Sequence, residues 1–205
     1  MDMATKRKWD AAAKSFDYMA GIGAEKRWAP KKRALFSHMR GKVLFLALGT
    51  GLDIEFFPPA KEITAIDISA KMLAVAQPRI KNYSGTINAL EMDVHDLDFP
   101  DNHFDQIYTS CTFCSVPRPV DGLKALWRVL KPGGELRMFE HTGSRFQPFK
   151  LMMDIMTPLS RKLGPDMNRD TTGHARQAGF TIKEVDYIYL DMVKTILAEK
   201  PKTAV

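Results

Sequence analysis

The feature that most constrains this chain is a continuous apolar run that ends in a short turn with two glycines. Residues 43–48 are all apolar, and Gly49-Thr50-Gly51 follows them directly. A run without polar alternation is typical of a buried strand in a parallel sheet that helices cover on both faces. In open sheets of this kind, ligands bind at the carboxyl ends of the strands. The turn at 49–51 is therefore a predicted ligand-binding turn.

Strands alternate with helices along the rest of the chain. This alternation favours an α/β domain with a parallel sheet, and two closing strands near the C-terminus favour an antiparallel hairpin. The expected fold is a Rossmann-like, doubly wound sheet of seven strands, mostly parallel with a C-terminal antiparallel hairpin. The strands are predicted at 43–48, 63–66, 86–92, 104–109, 135–139, 181–189 and 193–198, and the two clearest helices at 69–79, capped by Ser69, and at 120–130, ended by a Lys-Pro-Gly-Gly turn.

A chain of 205 residues suits a single domain. One face of a single predicted N-terminal helix carries Trp9, Ala12, Ala13, Phe16 and Met19. One face of another predicted helix, over 149–163, carries Phe149, Met152, Met153, Met156, Leu159 and Leu163. Either helix packs on the core, covers an apolar substrate or touches a membrane. The domain then has four parts: a basic N-terminal helical cap (1–40), a core that holds the binding turn (41–147), a methionine-rich insertion or lid (148–166), and a C-terminal helix and hairpin (167–205).

Positive charge is concentrated in the N-terminal quarter. Residues 1–42 contain eleven Lys or Arg and four acids, a net charge of +7, whereas the remaining residues carry −1. Such a segment is attracted to an anionic membrane surface or to nucleic acid, although solvated helix faces have the same composition. Nucleic acid is the weaker expectation, because the sequence marks no aromatic platform on which bases would stack.

The sequence predicts a cytoplasmic protein, with peripheral attachment to the inner membrane surface as an option. Residues 1–8 are polar and basic with no apolar run behind them, so no secretory signal is expected. No apolar run approaches the ~18 residues of a transmembrane helix. Cys111 and Cys114 are too few for a disulfide framework, and without a second ligand pair they predict no metal site.

Three strand ends define the expected ligand. A nicotinamide enzyme would have a third glycine where Ile54 stands, so the turn favours a ligand without phosphates over the dinucleotide of an oxidoreductase. Asp67 ends the second strand, where a carboxylate accepts hydrogen bonds from both hydroxyls of a ribose. Asp93 and Val94 follow the third strand, where they suit the amino group and the ring of an adenine.

In this order and spacing, the motifs resemble the class I S-adenosylmethionine-dependent methyltransferase superfamily over about residues 9–198. The resemblance is carried by Gly49-Thr50-Gly51, Ile66-Asp67, 93–97, 99–105 and 130–134. It implies a site for S-adenosyl-L-methionine. The cofactor-binding residues that it implies are Gly49, Thr50, Gly51, Asp67, Ile68, Asp93, Val94 and Ser110.

Two residues of the first strand depart from the pattern of this superfamily. Phe45 stands where the superfamily usually has an acid that helps to position the methionine amino group. Ala47 stands where it usually has a glycine. Asp53 is a candidate to replace the missing acid. The departure also leaves open a non-catalytic binding module with a decayed cofactor site.

Several small or lipidic methyl acceptors fit these motifs. Within the superfamily the chain resembles bacterial phospholipid N-methyltransferases, which implies phosphatidylethanolamine N-methylation as the leading prediction. The basic cap and the methionine-rich insertion favour a lipidic acceptor. Residues 111–116, 139–141 and 168–171 resemble instead the landmarks of thiol S-methyltransferases, and quinone C-methylation is a further alternative. Nucleic-acid bases are disfavoured, because the residues after the fourth strand lack the Asn/Asp-Pro-Pro-aromatic run of amino-purine methyltransferases.

An amine or thiol acceptor must lose a proton during methyl transfer, so a base is expected near the acceptor pocket. His141 is the first candidate, because it follows the fifth strand at the ligand-binding edge and histidine titrates near neutral pH. Glu140 is a candidate partner for a substrate cation, and Tyr18 lies in the segment that covers the cofactor in related enzymes. Each of the three also has a purely structural interpretation as a capping, ion-pairing or packing residue.

Overall fold

The sheet has the predicted seven strands. The computed structural model describes residues 1–19, 24–163 and 165–202. The strands are β1 Val43–Leu46, β2 Glu62–Asp67, β3 Thr86–Glu91, β4 Phe104–Ser110, β5 Leu130–His141, β6 Thr181–Tyr189 and β7 Val193–Glu199. They form one sheet in the order β3-β2-β1-β4-β5-β7-β6, in which β1 to β5 pair in parallel and β7 is antiparallel to both of its neighbours. The predicted fold class is confirmed.

Seven α-helices are described around this sheet. They are α1 Met3–Ala12, α2 Phe16–Met19, α3 Ala24–Phe36, α4 Ala70–Asn82, α5 Pro119–Val129, α6 Phe149–Leu163 and α7 Thr171–Gln177, and a 3₁₀ helix spans Leu52–Phe56. Ser69 caps α4 as predicted, because its hydroxyl accepts a hydrogen bond from the amide of Met72 at 3.1 Å.

The apolar periodicity predicts a single N-terminal helix, and that prediction is wrong. The chain turns after Ala12, where the amide of Ser15 donates to the Ala12 carbonyl at 3.0 Å, and α2 starts at Phe16. The aromatic face is nevertheless kept, since the rings of Trp9 and Phe16 meet edge to face at 5.9 Å. Apolar periodicity alone did not separate one continuous helix from two helices joined by a tight turn.

The fifth strand begins earlier than predicted. Phe104 of β4 pairs with Leu130, but Gln106 pairs with Glu135, so the intervening residues of β5 bulge out of the parallel pairing. Gly133 sits at the bulge with φ of 76°, in the left-handed region that favours glycine. The Lys-Pro-Gly-Gly turn is therefore present as an interruption within a strand rather than as the loop before it.

Alternating side chains of the central strands belong to two hydrophobic cores, one on each face of the sheet. Leu44 and Leu46 point into the core that contains α5 and α7. Phe45 points into the opposite core, where its ring lies 5.7 Å from that of Phe36 and 4.9 Å from that of Phe57. The position where an acid was expected is thus filled by a fully buried aromatic ring.

The insertion forms helix α6, as predicted for 149–163. Only part of its apolar surface is covered: Met153 is buried, whereas Leu151, Ile155 and Leu159 are exposed. In the part of the chain that the structure describes, no helix combines the length and the apolar character that crossing a membrane requires.

Candidate active site

One cavity of about 390 Å³ opens at the carboxyl ends of β1 to β4. Helix α1 contributes Thr5 and Trp9 to its wall, and α3 contributes Trp28 and Lys32. Seven of the eight residues predicted to bind the cofactor line it: Gly49, Thr50, Asp67, Ile68, Asp93, Val94 and Ser110. The strand ends therefore bring these residues to one place, and their contact with a cofactor stays a prediction.

The glycine turn has two glycines with different roles. Gly49 has φ of 59°, and a Cβ added to it would meet nothing within 4 Å, so open space for a ligand lies beside it. Gly51, the eighth predicted residue, does not line the cavity. It precedes the 3₁₀ helix with φ of 81°, and a Cβ there would lie 2.9 Å from the side chain of Ile54. Ala47 also has a positive φ, 57°, a conformation in which glycine is less strained.

Asp67 is a buried carboxylate that two backbone amides hold at the end of β2. Its Oδ1 accepts from the amide of Ser69 and its Oδ2 from the amide of Gly49, each at 2.8 Å. Burial raises the pKa of Asp67 above its ordinary value, although both amides oppose the shift. Each carboxylate oxygen can accept a second hydrogen bond, so the group can still receive the two hydroxyls of a ribose.

Asp93 is already engaged by three donors. Its Oδ1 accepts from the amide and the Nδ1 of His95 at 3.0 Å and 2.7 Å, and its Oδ2 accepts from the amide of Asp2 at 2.6 Å. Burial raises the pKa of Asp93, but these hydrogen bonds outweigh it and leave the pKa below its ordinary value. An adenine amino group would therefore have to share Oδ2 with the start of α1 or displace it.

Thr50 is tied to the N-terminal helices. Its hydroxyl donates to Asp17 of α2, and Arg79 of α4 donates to both the Thr50 carbonyl and Asp17, each at 2.8 Å. Asp17 therefore fastens α2 to the glycine turn through both of its carboxylate oxygens.

A buried ion pair lies in the wall of the cavity. Nζ of Lys32 is 2.7 Å from Oδ1 of Asp53, and the two side chains are only 4% and 13% exposed. The ammonium group also lies over the rings of Phe56 and Phe139, 5.9 Å and 5.4 Å from their centres. Both charged residues line the cavity.

Glu140 does not reach the cavity. Side chains alternate along β5, so Phe139 faces the cavity while Glu140 points to the other side of the sheet. Its carboxylate accepts from the hydroxyl of Thr109 at 2.7 Å and from the amides of Thr112 and Phe113 at 3.2 Å each. Burial raises the pKa of Glu140 to about 7 against the effect of these donors. Its placement fits anchoring of the loop after β4.

His141 and Tyr18, the other two predicted catalytic residues, are also absent from the cavity wall. His141 pairs with Val193 at the end of the β5–β7 ladder, and burial followed by the Lys194 cation lowers its pKa. Tyr18 is 79% exposed on α2. The structure thus brings the predicted cofactor residues together but does not bring any of the three predicted catalytic side chains to them.

The two cysteines follow β4 and differ in position. Cys111 lines the cavity, whereas Cys114 is buried and donates a hydrogen bond to the Cys111 carbonyl at 3.3 Å. Burial raises the pKa of Cys114 to about 12, so this thiol is not a nucleophile near neutral pH.

The sequence analysis missed the residues that α1 and α3 add to the cavity. Thr5, Trp9, Trp28 and Lys32 come from helices outside the α/β alternation, and no strand end marked them. The one available signal was the pair of tryptophans within a basic segment, since a large aromatic residue needs apolar surroundings.

Comparisons with known proteins agree with this geometry. Residues 44–138 match the methyltransferase domain family. The quinone C-methyltransferase UbiE of Geotalea daltonii is 32% identical over 69% of this chain and 65% of its own length. The human thiol S-methyltransferase TMT1B is 29% identical over 84% of this chain and 78% of its own length. A SAM-dependent methyltransferase structure from Aquifex aeolicus superposes with a TM-score of 0.68 at 18% identity, over 92% of this chain and 98% of that one.

These relatives differ in how far the match extends. The chain spans 65%, 55% and 47% of the length of three UbiE proteins, from Geotalea daltonii, Azotobacter vinelandii and Erwinia tasmaniensis. By name, the UbiE proteins are C-methyltransferases of ubiquinone and menaquinone biosynthesis and TMT1B is a thiol S-methyltransferase, and neither name refers to a phospholipid. The comparisons therefore favour the alternative acceptors over the phosphatidylethanolamine headgroup that the sequence analysis put first. They give no support to a dinucleotide-dependent oxidoreductase.

Proposed function

The chain belongs to the class I S-adenosylmethionine-dependent methyltransferase superfamily, and from that premise we propose that it transfers a methyl group to the sulfur of a small apolar thiol. The observation that carries the proposal is a single cavity in which seven predicted cofactor residues adjoin an aromatic wall. A cavity of about 390 Å³ lies within the range of small-molecule sites.

The residues of the cavity fit S-adenosylmethionine. Asp67 presents two fixed carboxylate oxygens to a ribose, and the open space beside Gly49 lets a ligand approach the backbone. Val94 and Met72 supply apolar surface next to Asp93 for a ring. When bound, the cofactor supplies a methyl group already activated on a sulfonium, so the protein mainly has to position the acceptor.

Part of the cavity wall is aromatic. Trp28 and Phe139 lie with ring centres 6.1 Å apart, and both line the cavity, as do Phe16 and Leu52. Apolar and aromatic walls with a few polar groups are typical of sites for small apolar ligands. The acceptor that fits this wall carries an aryl or alkyl body rather than a charged headgroup.

The side chains in the cavity wall that could take a proton from the acceptor favour a thiol among such acceptors. His95 is the one histidine among the described residues that line it, and its Nδ1 is bonded to Asp93. The carboxylate of Asp53 forms an ion pair with Lys32. A thiol ionises near pH 8.5, so part of it is thiolate near neutral pH without a dedicated base. A phenolic or ring-carbon acceptor depends more strongly on a positioned base.

The three segments that resemble thiol S-methyltransferases are also connected in space. Residues 111–116 contribute Cys111, Thr112, Ser115 and Val116 to the cavity wall. Glu140 holds the amides of Thr112 and Phe113, and Arg169 donates to the Val116 carbonyl at 3.1 Å. Segments 139–141 and 168–171 therefore fix one loop, and that loop is the proposed acceptor wall.

Matched acceptors test the proposal. The purified chain is incubated with methyl-labelled S-adenosylmethionine and either thiophenol or phenol, which share a ring and differ in the acceptor atom. We expect labelled methyl phenyl sulfide, formation of S-adenosylhomocysteine, and no labelled ether from phenol. Cofactor binding without turnover of any thiol in a panel of aryl and alkyl thiols would contradict the proposal.

A quinol is the second candidate acceptor, because the UbiE relative matches at 32% identity. The same assay includes 1,4-naphthohydroquinone, which offers a ring carbon in a molecule that fits an aromatic wall. Carbon methylation of this quinol in preference to the thiols would replace the proposed acceptor and leave the methyl-transfer chemistry in place.

Helix α6 supports attachment to an anionic membrane surface. Leu151, Ile155 and Leu159 recur every fourth residue and are exposed, Ile155 by 69%. Phe149 of α6 and Leu190 of the β6–β7 turn also line a separate hollow. Exposed patches of this kind mark contacts with other surfaces, and the positive N-terminal quarter favours an anionic one.

Vesicle sedimentation tests this attachment. We expect the chain to sediment with phosphatidylglycerol vesicles at low salt, less with phosphatidylcholine vesicles, and less again after Ile155→Asp combined with Leu159→Asp. The matched control is the double variant Asn82→Asp with Ser84→Asp, which adds two acids and lowers the net charge by the same amount at exposed residues outside α6. Sedimentation that is absent at low salt, or equal for both double variants, would contradict a role for α6.

A further inference from the structure

The amino-acid end of the cofactor lacks its usual acidic partner in this chain. Phe45 occupies that position, and its ring is enclosed by Phe36 and Phe57 in the core. A zwitterion that enters a partly buried cavity needs a partner for each of its two charges, because unpaired buried charges are strongly unfavourable. These partners must come from elsewhere in the cavity wall.

We infer that Lys32 and Asp53 form the receptor for this zwitterion, with Lys32 taking the α-carboxylate and Asp53 the α-ammonium group. The inference rests on the proposed use of S-adenosylmethionine. It assigns a binding role to two side chains that lie outside the motifs carrying the superfamily resemblance.

Elimination among the charged residues of the wall supports the assignment. Lys32 is the one Lys or Arg among the described residues that line the cavity. The acids are Asp2, Asp53, Asp67 and Asp93. Asp67 and Asp93 belong to the nucleoside end, and Asp2 caps α1 by accepting from the amide of Thr5 at 2.8 Å. Asp53 is therefore the acid that remains for an ammonium group.

The position of the pair along the chain fits the shape of the cofactor. Gly49 donates to Asp67 at the proposed ribose site, and Asp53 follows Gly49 by four residues in the 3₁₀ helix. Lys32 reaches Asp53 from α3 on the side of Phe139. The pair thus lines the same cavity as the proposed ribose site and is in contact with Phe139.

The energetics of buried ion pairs also favour a ligand role. A buried pair stabilises a fold little more than well-packed apolar residues of the same volume, so fold stability alone does not account for placing one in a cavity wall. A zwitterionic ligand adds one opposite charge beside each member of the pair, and such charge-assisted hydrogen bonds are strong.

Calorimetric titration with two ligands tests the inference. S-adenosylhomocysteine carries the amino-acid tail, whereas 5′-methylthioadenosine keeps the nucleoside and lacks that tail. We expect Asp53→Asn to weaken S-adenosylhomocysteine binding at least about tenfold, as expected for hydrogen bonds to charged groups, and to change 5′-methylthioadenosine binding less than about twofold. Glu55→Gln, an exposed change in the same 3₁₀ helix, is the matched control.

A second variant distinguishes a loss of ligand contacts from a loss of folding. Asp53→Asn takes away the negative charge that Asp53 places beside the Lys32 cation, whereas Lys32→Met with Asp53→Leu removes both charges of the pair together. We expect this double variant to lose S-adenosylhomocysteine affinity to a similar extent and to keep the affinity for 5′-methylthioadenosine. The retained nucleoside binding reports that the cavity is intact.

A third ligand separates the two charges. Decarboxylated S-adenosylmethionine keeps the amine and lacks the carboxylate, so its binding should respond to Asp53→Asn and not to Lys32→Met. Unchanged S-adenosylhomocysteine affinity in both charge variants, or equal losses for both nucleosides, would overturn the inference and leave the proposed function standing. A wild-type chain that binds none of the three ligands would overturn the proposed function as well.

Discussion

The two halves of the cavity are built in different ways. The half proposed for the nucleoside uses carboxylates at strand ends, and backbone amides hold Asp67 and Asp93. The half proposed for the amino-acid tail uses side chains from separate segments, with Lys32 on α3 paired to Asp53 on the 3₁₀ helix. A carboxylate fixed by nearby amides follows from the local path of the chain. A pair of distant side chains depends on how helices pack, which makes the tail half freer to vary within one fold.

The largest expected effect concerns Glu140, which holds the amides of the loop that forms the proposed acceptor wall. Its pKa of about 7 in the folded protein exceeds the ordinary value of 4.5. The folded state therefore holds a proton that the unfolded state has lost between these two values, and the free energy of unfolding falls as pH rises through this window. The fall is up to about 3 kcal/mol.

Chemical denaturation of the wild type and of Glu140→Gln between pH 4.5 and pH 8 measures this contribution. The difference between the two curves isolates Glu140, because the other titrating groups are common to both proteins. Parallel curves would show that Glu140 keeps its ordinary pKa and would weaken its role as a buried anchor.

The next effect concerns the nucleoside half. Asp67→Ala removes the acceptor proposed for both ribose hydroxyls and leaves the amides of Gly49 and Ser69 without their partner. Affinity for S-adenosylhomocysteine should fall by about 1–3 kcal/mol. Isothermal calorimetry measures the loss, with the exposed Asp98→Ala as control. Equal affinity of the Asp67 variant and the wild type would refute the ribose assignment.

A smaller effect is expected at Ala47, which also lines the cavity. Ala47 has a positive φ of 57°, so Ala47→Gly should relieve strain. Part of the gain is offset by the greater freedom of glycine in the unfolded chain, and the net stabilisation should be about 0.5–1 kcal/mol. Thermal unfolding of the variant measures it. A lower melting temperature would show that the methyl group of Ala47 contributes more than its strain costs.

The smallest effects are expected at two residues that sequence reasoning placed in catalysis. His141 and Tyr18 do not line the cavity. His141→Gln and Tyr18→Phe should each change kcat by less than about twofold, the range of substitutions away from a site. Methyl-transfer rates at saturating cofactor test both. A tenfold or greater decrease of kcat in either variant would indicate that the replaced residue acts at the acceptor site.

The fold and the grouping of Gly49, Asp67 and Asp93 at one cavity were predictable for the same physical reason. Buried parallel strands appear as apolar runs, and their ends carry the ligand-binding residues, so the strand limits located Gly49, Asp67 and Asp93 together. The same reasoning extended one helix across Ala12 to Phe16, because apolar periodicity is kept across a tight turn.

The tail half was not predictable in the same way. Lys32 lies in a basic helix, where most lysines are solvated, and its burial against Phe139, Phe56 and Asp53 follows from tertiary packing. Glu140 follows a strand that ends at the ligand-binding edge, but the alternation of side chains turns it away from the cavity. Because neighbouring side chains of a strand point to opposite faces of the sheet, a shift of one residue decides whether such a carboxylate contacts a ligand or holds a loop.

Titration of the full chain with S-adenosylhomocysteine in a calorimeter tests the central claim most directly. The account predicts micromolar binding with one ligand per chain, despite Phe45 and Ala47, because Asp67 and the Lys32–Asp53 pair supply the polar contacts. Absence of binding at millimolar ligand would contradict it and would leave a methyltransferase fold whose cavity serves another ligand.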